Sequence, residues 1–320
     1  VVIDVTALFT TDVEMIGALS SSQRKSFKIK GLDKSRSLII GMDAFPENIQ
    51  VKHILTYNGS NLPDNRTTGT LSIGMTQSFI LLPAIPMESR FADNRVGFFS
   101  LLQVDYASEE QKAETRRLIT RWRLEPKDWD AYNRGELVEP IKPIVYYIDA
   151  ATPEKWKKYI KQGVDDWAKA FESAGFKNAI RGEYAPTFDE DPDWSPEDVR
   201  YSVIRYIATD IQNAQGPHVH DPRTGEILES DILWYHNIMN LLRNWYFIHT
   251  AAINPEARGV KFDDAVMGQL IRFVAAHEVG HTLGLPHNMG SSTAYPVDSL
   301  RSPSFTSTHG TAPSIMDYAR

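Results

Sequence analysis

The sequence predicts an α+β fold in two parts: a β-rich N-terminal domain over residues 1–135 and a domain of mixed strands and helices over residues 136–320. Three observations predict it. Short β-favouring runs broken by turn residues fill the first part. An apolar strand-like run, an amphipathic helix pattern and further extended runs follow one another in the second. Finally, HEVGHTLGLPH at residues 277–287 places two histidines and a glutamate at helical spacing, with a third histidine beyond a glycine, close to the C-terminal end.

In the first part the runs VVIDVTALF, SFKIKG, SLIIGM, NIQVKHILTY, TLSIGM and SFILLPAI read as strands separated by Gly, Asn, Asp and Pro. Residues 27–30 and 51–57 alternate imperfectly, as half-buried antiparallel strands do. Residues 108–134, rich in Glu, Lys and Arg, read as a polar connecting region. In the second part Ile144–Ile148 suits a buried strand. Thr152 is expected to cap a helix with Pro153 at its first position. Trp156, Ile160, Val164, Trp167 and Phe171 recur every three or four residues as its buried stripe, and Gly175 ends it. Strands are expected near 179–184 and 201–208, an extended segment near 227–234, and a second amphipathic helix near 237–252. The helix carrying the histidines runs from near Asp263 to Leu283.

The histidine motif points to a catalytic metal. Four residues is slightly more than one helical turn, so His277 and His281 project from one face and chelate a single ion. Glu278 lies on the rim of that face, within reach of a water at the metal. Gly284 can take the left-handed conformation that ends a helix, and Pro286 keeps the helix from resuming. The chain then turns back and delivers His287 as a third ligand. Three protein ligands and one open position is the arrangement of catalytic Zn²⁺, whereas structural sites are usually closed with four.

Downstream, Ser314-Ile315-Met316-Asp317-Tyr318 reads SIMDY. With the extended histidine motif, this resembles the metzincin clan of zinc endopeptidases, whose motif is followed by a tight turn carrying methionine. The resemblance implies that Met316 forms an apolar floor beneath the imidazoles. It also implies that Tyr318 approaches the metal or the transition-state oxyanion, as in the astacin-like and serralysin-like branches. Asn288, after the third histidine, departs from the residues those branches carry. The stretches AAHEVGHTLGLPHNMG, YYIDAATPEKWKKYIKQGVDDWAKAFESAGF and SRFADNRVGFFS resemble large bacterial zinc-dependent metalloproteases with a β-rich region ahead of the catalytic domain. That resemblance implies an extracytoplasmic enzyme. The chain begins at Val1 without a signal peptide and stops two residues after Tyr318, where metzincin domains continue into a helix; it reads as a trimmed segment, truncated after the methionine turn.

Composition excludes several alternatives. Hydrophobic and charged fractions of 42% and 23% are those of a soluble globular protein, and no apolar run reaches the length of a membrane span. A net charge of −7 with no basic tract argues against nucleic acid as a partner. Cysteine is absent, so there is no disulfide framework and no thiolate metal site. Oligomeric state is not legible.

Weaker sites compete with ordinary structural roles. His218 and His220 would share one face of an extended strand and are a candidate second metal pair, with a polar loop the favoured reading. Asp189, Glu190, Asp191 and Asp193 offer oxygen ligands suited to calcium but lack a glycine-hinged spacing, which favours a solvated loop. Asp93 is a candidate inhibitory carboxylate, by resemblance to propeptide aspartates of some metzincins. His53, His236, His249 and His309 have no partners at ligand spacing and are read as structural.

The function expected is that of a zinc-dependent endopeptidase acting on protein or peptide substrates. A zinc-activated water attacks the scissile carbonyl, Glu278 is the general base, and Tyr318 assists at the oxyanion. An extended substrate would pair with a sheet edge, for which residues 227–234 are the candidate. Two other readings stay open: a zinc amidohydrolase acting on a small-peptide or non-protein amide, and a non-catalytic binding module in which the β-rich part does the work. Glu278 argues against the last, because a structural site has no use for a general base.

Overall fold

The computed structural model describes residues 2–63, 67–107 and 109–318. Two compact units emerge, residues 1–82 with 197–199, and residues 83–196 with 200–320.

The first unit is a small antiparallel sheet with two short helices, α1 (Thr6–Thr10) and α2 (Ser21–Ser26). Its strands are β1 (Ile29–Leu32), β2 (Leu38–Ala44), β3 (Asn48–Gly59) and β4 (Thr70–Ile80). The long β3 pairs with β4 over its length and with β1 and β2 in succession. Leu55 and Tyr57 on β3 pack with Leu19, and the Tyr57 hydroxyl donates to Asp12 at 3.1 Å. Residues 197–199 join this unit because the Asn48 amide donates to the Glu197 carbonyl at 2.9 Å and accepts from the Val199 N–H at 3.0 Å.

Two expectations fail in this unit. The opening run VVIDVTALF is not a strand. The Asp4 carboxylate accepts the Thr6 N–H at 2.9 Å and starts a helical turn, and Phe9 is buried from that turn with its ring against His53. The runs TLSIGM and SFILLPAI do not form two strands, since β4 continues from the first into the second and ends before Pro83, which has no N–H to give a ladder.

The second unit opens with the antiparallel pair β5 (Ser100–Asp105) and β6 (Glu114–Ile119), then β7 (Arg121–Trp122) and α3 (Trp129–Asn133). Within the stretch expected as a connector, residues 114–119 form a paired strand whose first four residues are exposed and whose Leu118 and Ile119 are buried, and β7 and α3 follow, so the described part of it is structured. The main sheet follows: β8 (Ile144–Ile148), β9 (Ile180–Tyr184), β10 (Ser202–Ile207), β11 (Ala214–Gln215) and, after β12 (Val219–His220) and β13 (Glu226–Glu229), β14 (Ile232–Tyr235). Its order is β11-β14-β10-β8-β9. The β8, β9, β10 and β14 pairings are parallel, and β11 runs antiparallel to β14 at one edge. β12, β13 and β7 form a separate three-stranded ribbon.

Helices α4 (Glu154–Asp165) and α5 (Ala168–Ser173) connect β8 to β9. Trp156, Ile160 and Val164 are buried as expected, each side chain worth about 1.5–3 kcal/mol relative to exposure. Thr152 does not cap α4: Pro153 occupies the cap position, and the Thr152 hydroxyl makes no side-chain cap bond. Helix α6 (Ile238–Thr250) precedes the long α7 (Asp264–Thr282), and α8 (Val297–Leu300) and α9 (Pro303–His309) follow. α4 packs closely on α7 because Gly163 leaves room; a Cβ there would lie 2.6 Å from that of Ala275. Among the described residues, no helix is long and apolar enough to cross a membrane.

Candidate metal centre

α7 carries the histidine motif, and both of its ends are chemically defined. The Asp263 carboxylate accepts the Ala265 N–H at 2.8 Å, which satisfies an orphan donor of the first turn. At the other end Gly284 has φ +99°; its N–H donates to the His281 carbonyl at 3.0 Å, and that of Leu285 to Gly280 at 3.1 Å. This glycine-terminated double bond is the Schellman closure. It reverses the chain within a few residues and brings His287 back against the helix.

The three imidazoles converge. The His287 Nε2 lies 3.3 Å from that of His277 and 3.1 Å from that of His281. Tetrahedral zinc with Zn–N bonds of 2.0–2.1 Å requires ligand nitrogens roughly 3.3–3.4 Å apart, so the set fits that ion. The far nitrogens fix the tautomers. His277 Nδ1 is 2.8 Å from the Ile315 carbonyl and His281 Nδ1 is 2.8 Å from that of Leu285. A carbonyl only accepts, so each Nδ1 must carry the proton and each Nε2 presents its lone pair to the centre. Burial lowers the pKa of His281, with the neighbouring His287 adding to the effect, which favours the neutral, ligating form. Among the described residues this triad is the only group of three His, Asp or Glu side chains placed to hold a metal.

The SIMDY turn braces the centre from below. Met316 is buried, and its sulfur occupies the space that a Cβ on Gly280 would take, 2.2 Å from that position. The Met316 carbonyl accepts the Asn288 N–H at 2.8 Å, so the turn holds the chain next to His287 as well as the Nδ1 of His277. Buried Asp317 accepts the Ser292 N–H at 2.8 Å and the Ser291 hydroxyl at 3.0 Å, anchoring the loop after His287. The Tyr318 hydroxyl lies 2.8 Å from His287 Nε2, and its ring stacks on that of His277. Asn288, Gly280 and Asp317 thus have supporting roles that the sequence reading did not assign. The signal for Gly280 was present, as a glycine inside a helix marks a close approach.

The centre opens into a cleft of about 630 Å³ whose wall includes Glu278, His281, His287 and Tyr318 together with residues 213–217. Glu278 is only 7% exposed, so its carboxylate works in a largely dry wall. Gly216 lets the edge strand approach α7, since a Cβ there would lie 2.6 Å from the Glu278 carbonyl oxygen. This corrects the expected substrate edge. Residues 232–234 sit inside the sheet with partners on both sides, residues 226–229 belong to the separate ribbon, and the edge at the cleft is β11. A two-residue strand has no periodicity to read.

The other candidates do not gather as sites. His218 and His220 have ring centroids 5.5 Å apart, with no third ligand among the described residues. Burial, with the neighbouring His220, holds the His218 pKa down to about 4, so its ring is neutral near pH 7. Asp93 is paired with Arg95 at the surface, away from the metal ligands. The acidic run is an exposed turn in which Glu190 accepts the Thr187 N–H at 2.8 Å. His53 is buried with Nδ1 2.8 Å from the Phe9 carbonyl, and His236 Nδ1 is 2.6 Å from the Tyr206 hydroxyl.

Residues 259–320 match a family described as Met-zincin (DUF4953). Match and triad together support a metzincin-like zincin. Residues 1–127 match a domain of unknown function, DUF5117. No curated protein and no solved structure matches the chain.

Proposed function

We propose that the protein is a zinc-dependent endopeptidase. The observation that carries this reading is the convergence of three imidazole Nε2 atoms, two of the separations being 3.1 and 3.3 Å, beside a buried glutamate at an open cleft. Zinc, when bound there, supplies an activated water and an electrophile for the carbonyl oxygen. Glu278, next to His277 on a rigid helix, takes the proton of the attacking water and delivers it to the leaving amine. The hydroxyl of Tyr318, already beside His287 Nε2, donates a hydrogen bond to the oxyanion of the tetrahedral intermediate. An extended protein or peptide substrate lies along the open edge of β11, pairing main chain to main chain.

The test is elemental analysis combined with product mapping. The purified protein should bind about one zinc per chain. It should cut casein and a mixed peptide library internally, lose that activity to a chelator and regain it with zinc. Failure to take up zinc would remove the centre, while cleavage confined to small non-peptide amides would remove the endopeptidase assignment.

Tyr318→Phe tests the oxyanion role separately. A donor that acts chiefly in the transition state should lower kcat by about 10-fold or more with little change in KM. A raised KM at unchanged kcat would instead make Tyr318 a ground-state substrate contact.

A further inference from the structure

We propose that Phe99 is a specificity-determining residue, an apolar wall of the cleft that selects an apolar substrate side chain next to the scissile bond. This rests on the endopeptidase reading. Phe99 lies outside the segment matched as Met-zincin and inside the one matched as a domain of unknown function. Its main chain is nevertheless bolted to the metal motif. The Phe99 N–H donates to the Gly284 carbonyl at 2.7 Å, and the Phe99 carbonyl accepts the Thr120 N–H at 2.8 Å. The position of the ring is therefore fixed by the same turn that places His287.

The ring faces the cleft and is 37% exposed. Its centroid is 5.9 Å from that of His281, a member of the triad, and 5.9 Å from that of His218, so the ring sits between the metal centre and His218 as a near neighbour of both. Pro286 continues the apolar surface of the cleft beside Phe99, and His218, neutral near pH 7 as its depressed pKa requires, adds no charge next to the ring. A substrate side chain beside the scissile bond meets aromatic and aliphatic carbon on this wall. A charged side chain placed against the Phe99 ring would give up hydration for contacts with carbon, which disfavours it.

The test is a cleavage-site profile of parent and Phe99→Ala on one mixed peptide library, with zinc content and melting temperature measured on both. Truncating the ring should flatten the preference for Leu or Phe over Gly at one position flanking the cut by roughly 10-fold or more, the range that apolar pocket contacts supply. Zinc content should stay unchanged. Phe99→Leu keeps most of the packing and should shift the same position by a smaller factor, which covers the case in which Phe99→Ala folds poorly. A noncleaved apolar peptide titrated into the Glu278→Gln background should bind more weakly when Phe99→Leu is added. An unchanged profile in both Phe99 variants, with parent cleaving normally, overturns the role of Phe99 alone. A parent that binds zinc and cleaves no peptide overturns the peptidase reading and this inference with it.

Discussion

Glu278→Gln is expected to keep zinc and fold while losing hydrolysis by about 10²–10⁴-fold, the usual contribution of a positioned general base. The amide preserves the shape of the side chain, and the position is 7% exposed on a 19-residue helix, so the backbone has no reason to move. An amide oxygen is too weak a base to take a proton from water near neutral pH, and the amide nitrogen has nothing to return to the leaving amine. Both halves of the proton transfer are lost together. The loss should fall on kcat, because a substrate bound along β11, as proposed, would keep main-chain contacts that the substitution leaves in place. Single-turnover cleavage and zinc content, measured on the same preparation, check this. Cleavage at the parental rate would show that another group carries the proton.

The helix that bears these groups was legible almost to the residue, and for local reasons. The i, i+4 histidines and the Gly284–Pro286 exit are encoded within one stretch, and the helix expected from near Asp263 to Leu283 spans Asp264–Thr282. β8, β9, β10 and α6 were also readable, the strands as short apolar β-favouring runs and α6 as an amphipathic stretch. What the sequence hid was non-local. Nothing near Phe99 announces that its N–H reaches Gly284, and the hydrogen bond from Trp122 Nε1 to the Thr282 carbonyl, 2.9 Å, spans 160 residues. β11 was invisible because two residues show no alternation, and the helix at Thr6–Thr10 was hidden because the Asp4 carboxylate that accepts the Thr6 N–H sits inside an apolar run that reads as strand.

The family matches and the packing divide the chain differently. The match to the first family extends to residue 127, yet residues 83–127 fold into the second compact unit. Their bonds explain why. Phe99, Thr120 and Trp122 form a bracket around the end of α7, and Arg121 donates its N–H to the Gly225 carbonyl at 2.9 Å, tying that bracket to the β13 ribbon. The geometry of the third metal ligand therefore depends on residues far upstream of the motif that contains it.

Gly284→Ala should expose that dependence, lowering stability by roughly 2–5 kcal/mol and weakening zinc binding in the same variant. Two costs combine. At φ +99° a side chain enters the left-handed region, worth about 1–2 kcal/mol for an L-residue. The added Cβ would also lie 2.4 Å from the Thr120 carbonyl oxygen and 3.3 Å from Phe98 Cδ1, and overpacking of this kind costs typically about 1–3 kcal/mol. The first of those contacts is with backbone, so no rotamer change relieves it. Thr120 cannot retreat freely, because its N–H is bonded to the Phe99 carbonyl and Phe99 is bonded back to Gly284. The strain must therefore open the bracket or shift the turn, and the turn is what carries His287. For a unit of this size the melting temperature should fall by about 2–4 °C per kcal/mol. Gly310→Ala separates the two costs: φ is +70° there, but the nearest atom to a Cβ is 3.9 Å away, so only the conformational strain applies and zinc binding should be unaffected. Thermal melts and zinc titrations of the two variants decide the matter. Equal melting losses with intact zinc affinity in both would mean that the contact between Gly284 and Thr120 does not hold the third ligand in place.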